Sequence, residues 1–139
     1  DFNQHVYIEN LMQIADIAHD NPHHTLNIKE HCEEAYRYAI AHQYPANLCF
    51  AAKYHDVGKP YVKAFIDSKG NPCDTAHYYQ HNCVGAWMAY GFGLYSVHFA
   101  WLISTHMDPF LNTKYYNKQL PAYLKRQVDL LHEADLAGH

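Results

Sequence analysis

Basic charge is scarce in this chain. Lys and Arg number 10 among 139 residues against 14 Asp and Glu, for a formal net charge of -4 with histidine neutral. A protein that grips a phosphate backbone does so through clustered Lys and Arg, so no extended nucleic-acid surface is expected. There is no apolar run long enough to cross a bilayer and no charged-then-apolar leader, which leaves no expected membrane partner and makes a cytoplasmic setting the default. The four cysteines, Cys32, Cys49, Cys73 and Cys83, form no CxxC pair; this argues against a thiolate zinc site and for reduced, buried thiols. Internal repeats and low-complexity linkers are absent too. The length then fits a single domain, 1–139, with one continuous core and no room for a second. The chain starts at Asp1 without a methionine and stops four residues after Asp135, as a domain trimmed from a longer chain would.

Histidine, by contrast, is abundant, with 13 in the chain. Ionisation of so many imidazoles makes the net charge sensitive to pH near about 6 to 7. Helical patterns dominate the sequence around them. Val6, Leu11, Met12, Ala15 and Ala18 recur at helical spacing over 4–19, until Asn21-Pro22 breaks the segment. Asn27 and Glu30 stand as an N-cap and its reciprocal partner for a helix over 28–42, on which His31, Ala35, Tyr38 and His42 share a face. Pro45 opens a third helix as a first-turn residue and Gly58 with Pro60 closes it, which puts His55-Asp56 at its C-terminal end. The helical period is lost between Tyr61 and Tyr79, where residues 68–72 read as a turn between two short extended pieces. Helices resume over 81–90 and 94–105, with Gly91 and Gly93 at the joint, and a last one runs over 120–136. The expected fold is all-α: a bundle of about six helices with a small β-hairpin-like insert.

His31, His55, Asp56, His81, His106 and Asp135 form the constellation of interest. Apart from the adjacent pair, each falls on or at the end of a different expected helix. Gaps of about two dozen residues are what antiparallel helices need to return side chains to one end of a bundle. Imidazole with carboxylate suits Fe, Mn, Co, Ni or Zn, whereas Ca and Mg prefer oxygen alone. On spacing alone Asp135 also fits a solvated helix surface, and His77 competes with His81. A surface or capped-core role is expected for His5, His19, His42, His98, His132 and His139.

The segments NPHHTLNIKEH, HDVGKP, AHYYQH followed by Val84-Gly85-Ala86, STHM and EADLAGH, taken in this order, resemble the HD-domain superfamily of metal-dependent phosphohydrolases. They are most similar to the HD domain of bacterial tRNA CCA-adding enzymes and to small stand-alone relatives. The likeness spans about residues 21–138. It implies an HD-domain helical bundle in which His31, His55, Asp56 and Asp135 are metal ligands. His81 and His106 match the additional histidines of relatives with two metals. Asp56 would bridge two divalent transition ions, with His31, His55 and Asp135 on one and His81 and His106 on the other. Lys59 matches the lysine that contacts substrate oxygens, which makes Asp56 and Lys59 the expected catalytic pair. His23-His24 matches the NPxH segment, and His24 and His77 are the further expected substrate contacts. Tyr54, Tyr61, Tyr78, Tyr79, Tyr115 and Tyr116 are candidates to line a pocket for a flat ring. Two departures stand out: the nucleotidyltransferase head is absent, and the usual glycine before the fourth-motif histidine is Gln80.

The activity this implies is metal-dependent hydrolysis of a nucleotide or another small phosphate ester. Two alternatives remain open: a mixed-valence di-iron oxygenase built on the same six ligands, and a metal-stabilised nucleotide-binding module without turnover.

Overall fold

The computed structural model describes residues 4–91 and 97–139. It is mostly helical, with six helices of nine residues or more: α1 Gln4–Ile14, α2 Ile28–Ala41, α3 Ala46–Tyr54, α5 His81–Gly91, α6 Val97–Thr105 and α8 Ala122–Ala137. Two single-turn helices, α4 Lys59–Val62 and α7 Asp108–Leu111, and a π-helical turn over Tyr115–Gln119 fill the joints. The expected all-α architecture is therefore present.

Its boundaries differ from the sequence reading in places that matter. The first helix stops at Ile14 rather than continuing to His19. The carbonyls of Ala15 and Ile17 instead accept the N–H groups of Lys29 (2.9 Å) and Ile28 (3.1 Å), two donors that the start of α2 cannot satisfy internally. Asn27 adds its expected capping box: its side chain accepts the Glu30 N–H at 2.8 Å while the Glu30 carboxylate accepts the Asn27 N–H. Pro45 and Pro121 sit one residue outside α3 and α8, in extended conformation, where a missing N–H removes no helical hydrogen bond. The last helix accordingly starts at Ala122, not Leu120. The expected start at Leu94 and the joint residue Gly93 lie outside the described residues, whereas Gly91 belongs to α5.

The insert is an antiparallel hairpin of β1 Ala64–Ile66 and β2 Pro72–His77, with Ala64 opposite His77. Asp67 organises its turn by accepting the N–H groups of Lys69 and Asn71 on one carboxylate oxygen. The far strand is tied to the loop before α2, since Ala76 N–H donates to Asp20 O and Asn21 Nδ2 donates to Ala76 O. These bonds bring the His23-His24 loop and the His77 strand to one side of the molecule.

In the core, Phe99, Leu102 and Ile103 of α6 meet Leu48 and Ala52 of α3, Ala35 and Ala39 of α2, and Leu131 and Ala134 of α8. A smaller cluster of Ala15, Ile28 and Cys32 seats the end of the first segment on α2. All four cysteines are free, but Cys73 is half-buried and Cys83 exposed, so the expectation of buried thiols holds for Cys32 and Cys49 alone.

Candidate metal centre

His31 lies in the first turns of α2, and His55 caps the C-terminal end of α3. Asp56 follows in the turn that leads to Lys59, the first residue of α4. His81 opens α5, His106 follows the last residue of α6, and Asp135 lies near the end of α8. All seven are buried, Asp56 with 2% of its surface exposed. Gly58 permits this convergence: a Cβ there would lie 2.2 Å from the His81 carbonyl oxygen and 2.7 Å from Gly85 N.

The four imidazoles are oriented in one way. Their Nδ1–H groups donate to backbone carbonyls: His31 to Gly138 (3.0 Å), His55 to Ala52 (2.7 Å), His81 to Tyr78 (2.9 Å) and His106 to Ile103 (2.6 Å). A carbonyl only accepts, so each Nδ1 carries the proton and each Nε2 is left as the ligating atom. These Nε2 atoms surround one carboxylate in two pairs. Asp56 Oδ2 is 3.3 Å from both His31 and His55, while Asp56 Oδ1 is 3.1 Å from His81 and 3.3 Å from His106. Asp135 Oδ1 completes the first group, at 2.9 Å from His31 and 3.2 Å from His55.

Within each pair the Nε2 atoms nearly touch, at 3.0 Å for His31 and His55 and 3.1 Å for His81 and His106. Two imidazole lone pairs facing each other at that distance repel unless a proton or a metal cation sits between them. Ligand atoms about 2.1 Å from one ion and at right angles are themselves about 3.0 Å apart, so the spacing suits a metal ion. Two buried groups therefore have metal-ligand spacing, His31–His55–Asp56–Asp135 and Asp56–His81–His106, and Asp56 is common to both.

The electrostatics of these side chains follow from the same contacts. Burial alone would raise Asp56, but His55 and Lys59, with hydrogen bonds from His106 and His31, hold its carboxyl well below the usual range. Burial would raise Asp135 likewise, and His55, His139 and His31 hold it low. For His55, burial is outweighed by Asp56 and Asp135, so its basicity is well above the ordinary imidazole value; His31 is raised for the same reason. Burial wins at His106, which is lowered.

An open cavity of about 560 Å³ leads to Asp56, Lys59, His81 and Asp135. His24 and His77, the expected substrate contacts, both line it. His24 is half-buried, and burial together with Lys59 pushes it down to about 3, so it is a neutral hydrogen-bonding group; its Nδ1 has no partner among the described residues. His77 stacks on Tyr79 at 5.4 Å between ring centres. Of the six candidate tyrosines, Tyr78 and Tyr79 line the cavity and the other four do not; Tyr54 is buried in the core. Met107, Phe110 and Leu111 supply an apolar wall.

Two histidines expected in bland roles belong to this site. His19 is buried, stacks on His24 at 3.9 Å and lies 3.1 Å from Lys59 Nζ. Its expected place on the tail of α1 hid it, because the turn after Ile14 is what swings it inward. His139 lines the cavity and stands 3.7 Å from Asp135; the i, i+4 spacing to Asp135 was the available signal. His42 and His98 keep ordinary roles, stacked on Tyr38 and bonded to Gln127 respectively, and His132 packs against Phe110. The side chain of His5 lies outside the described residues.

No protein-family model matches this chain, and no curated protein sequence matches it. Among the described residues no helix is long and apolar enough to cross a membrane.

Proposed function

We propose that this chain is an HD-type metal-dependent phosphohydrolase or phosphodiesterase acting on a nucleotide or another small phosphate ester. The observation that carries the reading is the division of Asp56: one carboxylate oxygen serves the His31–His55 pair, the other serves His81–His106, and the Lys59 ammonium lies 3.1 Å from the first. Such a donor set fits two divalent transition ions, with Asp56 shared, His31, His55 and Asp135 on one side and His81 and His106 on the other. Bound there, the ions would supply Lewis acidity toward a phosphoryl group and activate water at neutral pH.

The chain's own groups have separable tasks. Lys59, buried at the cavity floor, places a fixed positive charge where negative charge grows on a phosphoryl oxygen. The carbonyls of Ala52, Tyr78, Ile103 and Gly138 hold the ligand imidazoles in the ligating tautomer. His24 and His77 offer hydrogen bonds along the cavity wall, and Tyr79 offers a stacking face.

The test is release of phosphate, or opening of a cyclic phosphate, from a broad ester panel with Mn, Co or Ni added. Activity abolished in His55→Ala and Asp56→Ala supports the reading, and no turnover across the panel overturns it. Two bound irons with substrate-dependent oxygen uptake would assign the centre to the oxygenase alternative. Tight binding of an unaltered nucleotide with every metal would assign it to a binding module.

A further inference from the structure

The Lys59 side chain is 6% exposed, so each of its three N–H donors needs a partner. Asp56 Oδ2 takes one at 3.1 Å, and His19 Nε2 lies at 3.1 Å from the same nitrogen. The tautomer of His19 decides what that second contact is. Its Nδ1 is 2.8 Å from the carbonyl of Leu26, which only accepts, so Nδ1 carries the proton and Nε2 presents a lone pair to the ammonium. The ring itself is held on several sides. His24 stacks on it nearly parallel, at an interplanar angle of 10°, and the Tyr78 hydroxyl donates to the His19 backbone carbonyl. Tyr78 also lies against the ammonium, its ring centre 5.1 Å from Lys59 Nζ.

We propose that His19 is a positioning residue for Lys59: by accepting one N–H while Asp56 accepts another, it leaves the third N–H for the cavity and aims it at a phosphoryl oxygen of the substrate. This rests on the phosphohydrolase reading for the identity of the oxygen, but not for the hold of His19 on Lys59. A lysine on a four-carbon stem is otherwise free to turn its charge wholly onto Asp56, which would compete with the metals and leave the cavity floor without a directed donor. Two fixed acceptors on one ammonium leave a single direction for the third bond.

The test uses the full chain loaded with metal and two variants. His19→Phe keeps a flat ring for stacking on His24 but has no acceptor; His19→Gln restores an acceptor near the position of Nε2. The expected result is a rise in KM, and in the inhibition constant for inorganic phosphate, of about 10- to 100-fold in His19→Phe, as befits a hydrogen bond from a charged donor. Metal content should stay at the wild-type value, and His19→Gln should recover most of the loss. Nitrogen NMR of the zinc-loaded wild type should show His19 protonated at Nδ1 and unprotonated at Nε2. Equal phosphate affinity in wild type and His19→Phe overturns the proposal, as does a proton on Nε2, and the NMR result stands even if a variant fails to fold. A wild type that turns over no ester, yet shows the Nδ1–H tautomer and a slowly exchanging Lys59 ammonium, would overturn the function while retaining the His19–Lys59 pairing.

Discussion

His31 and Gly138, 107 residues apart, are joined by a 3.0 Å hydrogen bond from the imidazole Nδ1–H to the glycine carbonyl. The end of α8 thereby fixes the tautomer of a ligand on α2, while Asp135, three residues earlier, faces the Nε2 of the same ring at 2.9 Å. A Cβ at Gly138 would lie 2.8 Å from the His31 carbonyl oxygen and 3.0 Å from its Nδ1. Gly138→Ala must therefore push α8 away from His31. Groups that orient a ligand imidazole are worth about 10- to 100-fold in metal affinity, and a loss of that size is expected at the His31–His55–Asp135 position. The position held by His81 and His106 should bind as before. Metal titration followed by elemental analysis separates the two, and unchanged affinity at both would contradict the anchoring role of Gly138.

The shared carboxylate makes the ligand variants unequal. Asp56 is the one residue common to the two fully buried metal-ligand groups, so Asp56→Ala should abolish tight binding at each. His106→Ala removes a ligand from the second group alone, and on the proposed two-ion reading should leave one ion per chain where wild type is expected to bind two. In-line phosphoryl transfer in two-metal sites uses both ions, so the hydrolysis proposed for this chain should fall by about 100-fold or more in His106→Ala. Stoichiometry measured on dialysed protein checks the first statement and steady-state kinetics the second; retention of two ions in His106→Ala would count against His106 as a ligand, and a single ion in wild type against a dinuclear centre.

Stability of the metal-free protein should peak near pH 6.5 and fall on both sides. His31 and His55 are raised above the ordinary value of 6.5, so the folded chain keeps protons that the unfolded chain gives up. Their contribution is complete below that pH and is lost as pH rises through their folded values. His19, His24 and His106 are lowered, the first to about 4 and the second to about 3. Below pH 6.5 the unfolded chain takes up protons that these buried rings refuse, so stability falls toward acid as well. Asp56 and Asp135, both held well below 3.8, add stability above that value that is lost in stronger acid. Urea unfolding of chelator-treated protein from pH 3.5 to 9 checks the shape. Saturating metal should remove the alkaline fall, because ions then take the place of the protons on His31 and His55. A steady rise to pH 9 in the chelated protein would be inconsistent with these shifts.

Local chemistry made much of this readable in the sequence. Asn27 and Glu30 cap α2 as their spacing requires, the hairpin turn falls where Ser68–Pro72 places it, and His55-Asp56 ends α3. What the sequence hid is non-local. The end of α1 is set by donors at the start of α2 that claim the carbonyls of Ala15 and Ile17, a pairing no helical period contains. The inward place of His19 is a consequence of that turn. His139 acquires its position from the packing of α8 against α2, and the orienting carbonyl of Gly138 comes with it. Periodicity locates a face of a helix, but only the packing of one helix end on another determines which histidines meet.

Gln80 occupies the left-handed region, with φ of 60°, immediately before His81 opens α5. A side chain there costs about 1–2 kcal/mol against the right-handed regions, and glycine does not incur it. Glycine also loses more freedom on folding, by about 0.4–1 kcal/mol, so Gln80→Gly should stabilise the protein by about 0.5–1 kcal/mol. Gln80 is exposed, and its replacement leaves the Nδ1 bond of His81 to Tyr78 in place. Gln80→Val, branched at Cβ, should shift stability the other way. Urea midpoints at pH 7 in the presence of chelator check both, and a less stable Gln80→Gly would mean that the Gln80 side chain contributes more than its backbone costs.

Among the described residues, Gly58 is the glycine whose added Cβ would meet the closest contacts. The atoms a Cβ would meet, His81 O at 2.2 Å and Gly85 N at 2.7 Å, belong to the backbone of α5 and have no rotamer in which to retreat. Gly58→Ala must therefore separate the Asp56–Lys59 turn from the start of α5, the element that carries His81. Overpacking of this kind costs about 3 kcal/mol. Whatever folds should hold the ion between His81 and His106 less tightly, because Asp56 Oδ1 and His81 Nε2, now 3.1 Å apart, are carried on the two pieces that move. Gly70→Ala is the matched control. With φ of 83° and nothing within 4 Å of its Cβ, it should lose about 1 kcal/mol to backbone strain and bind metal as wild type does. Urea unfolding and metal stoichiometry on the two variants distinguish a general intolerance of added methyl groups from a close approach that builds the centre. Equal metal binding in both would show that α5 shifts without disturbing His81.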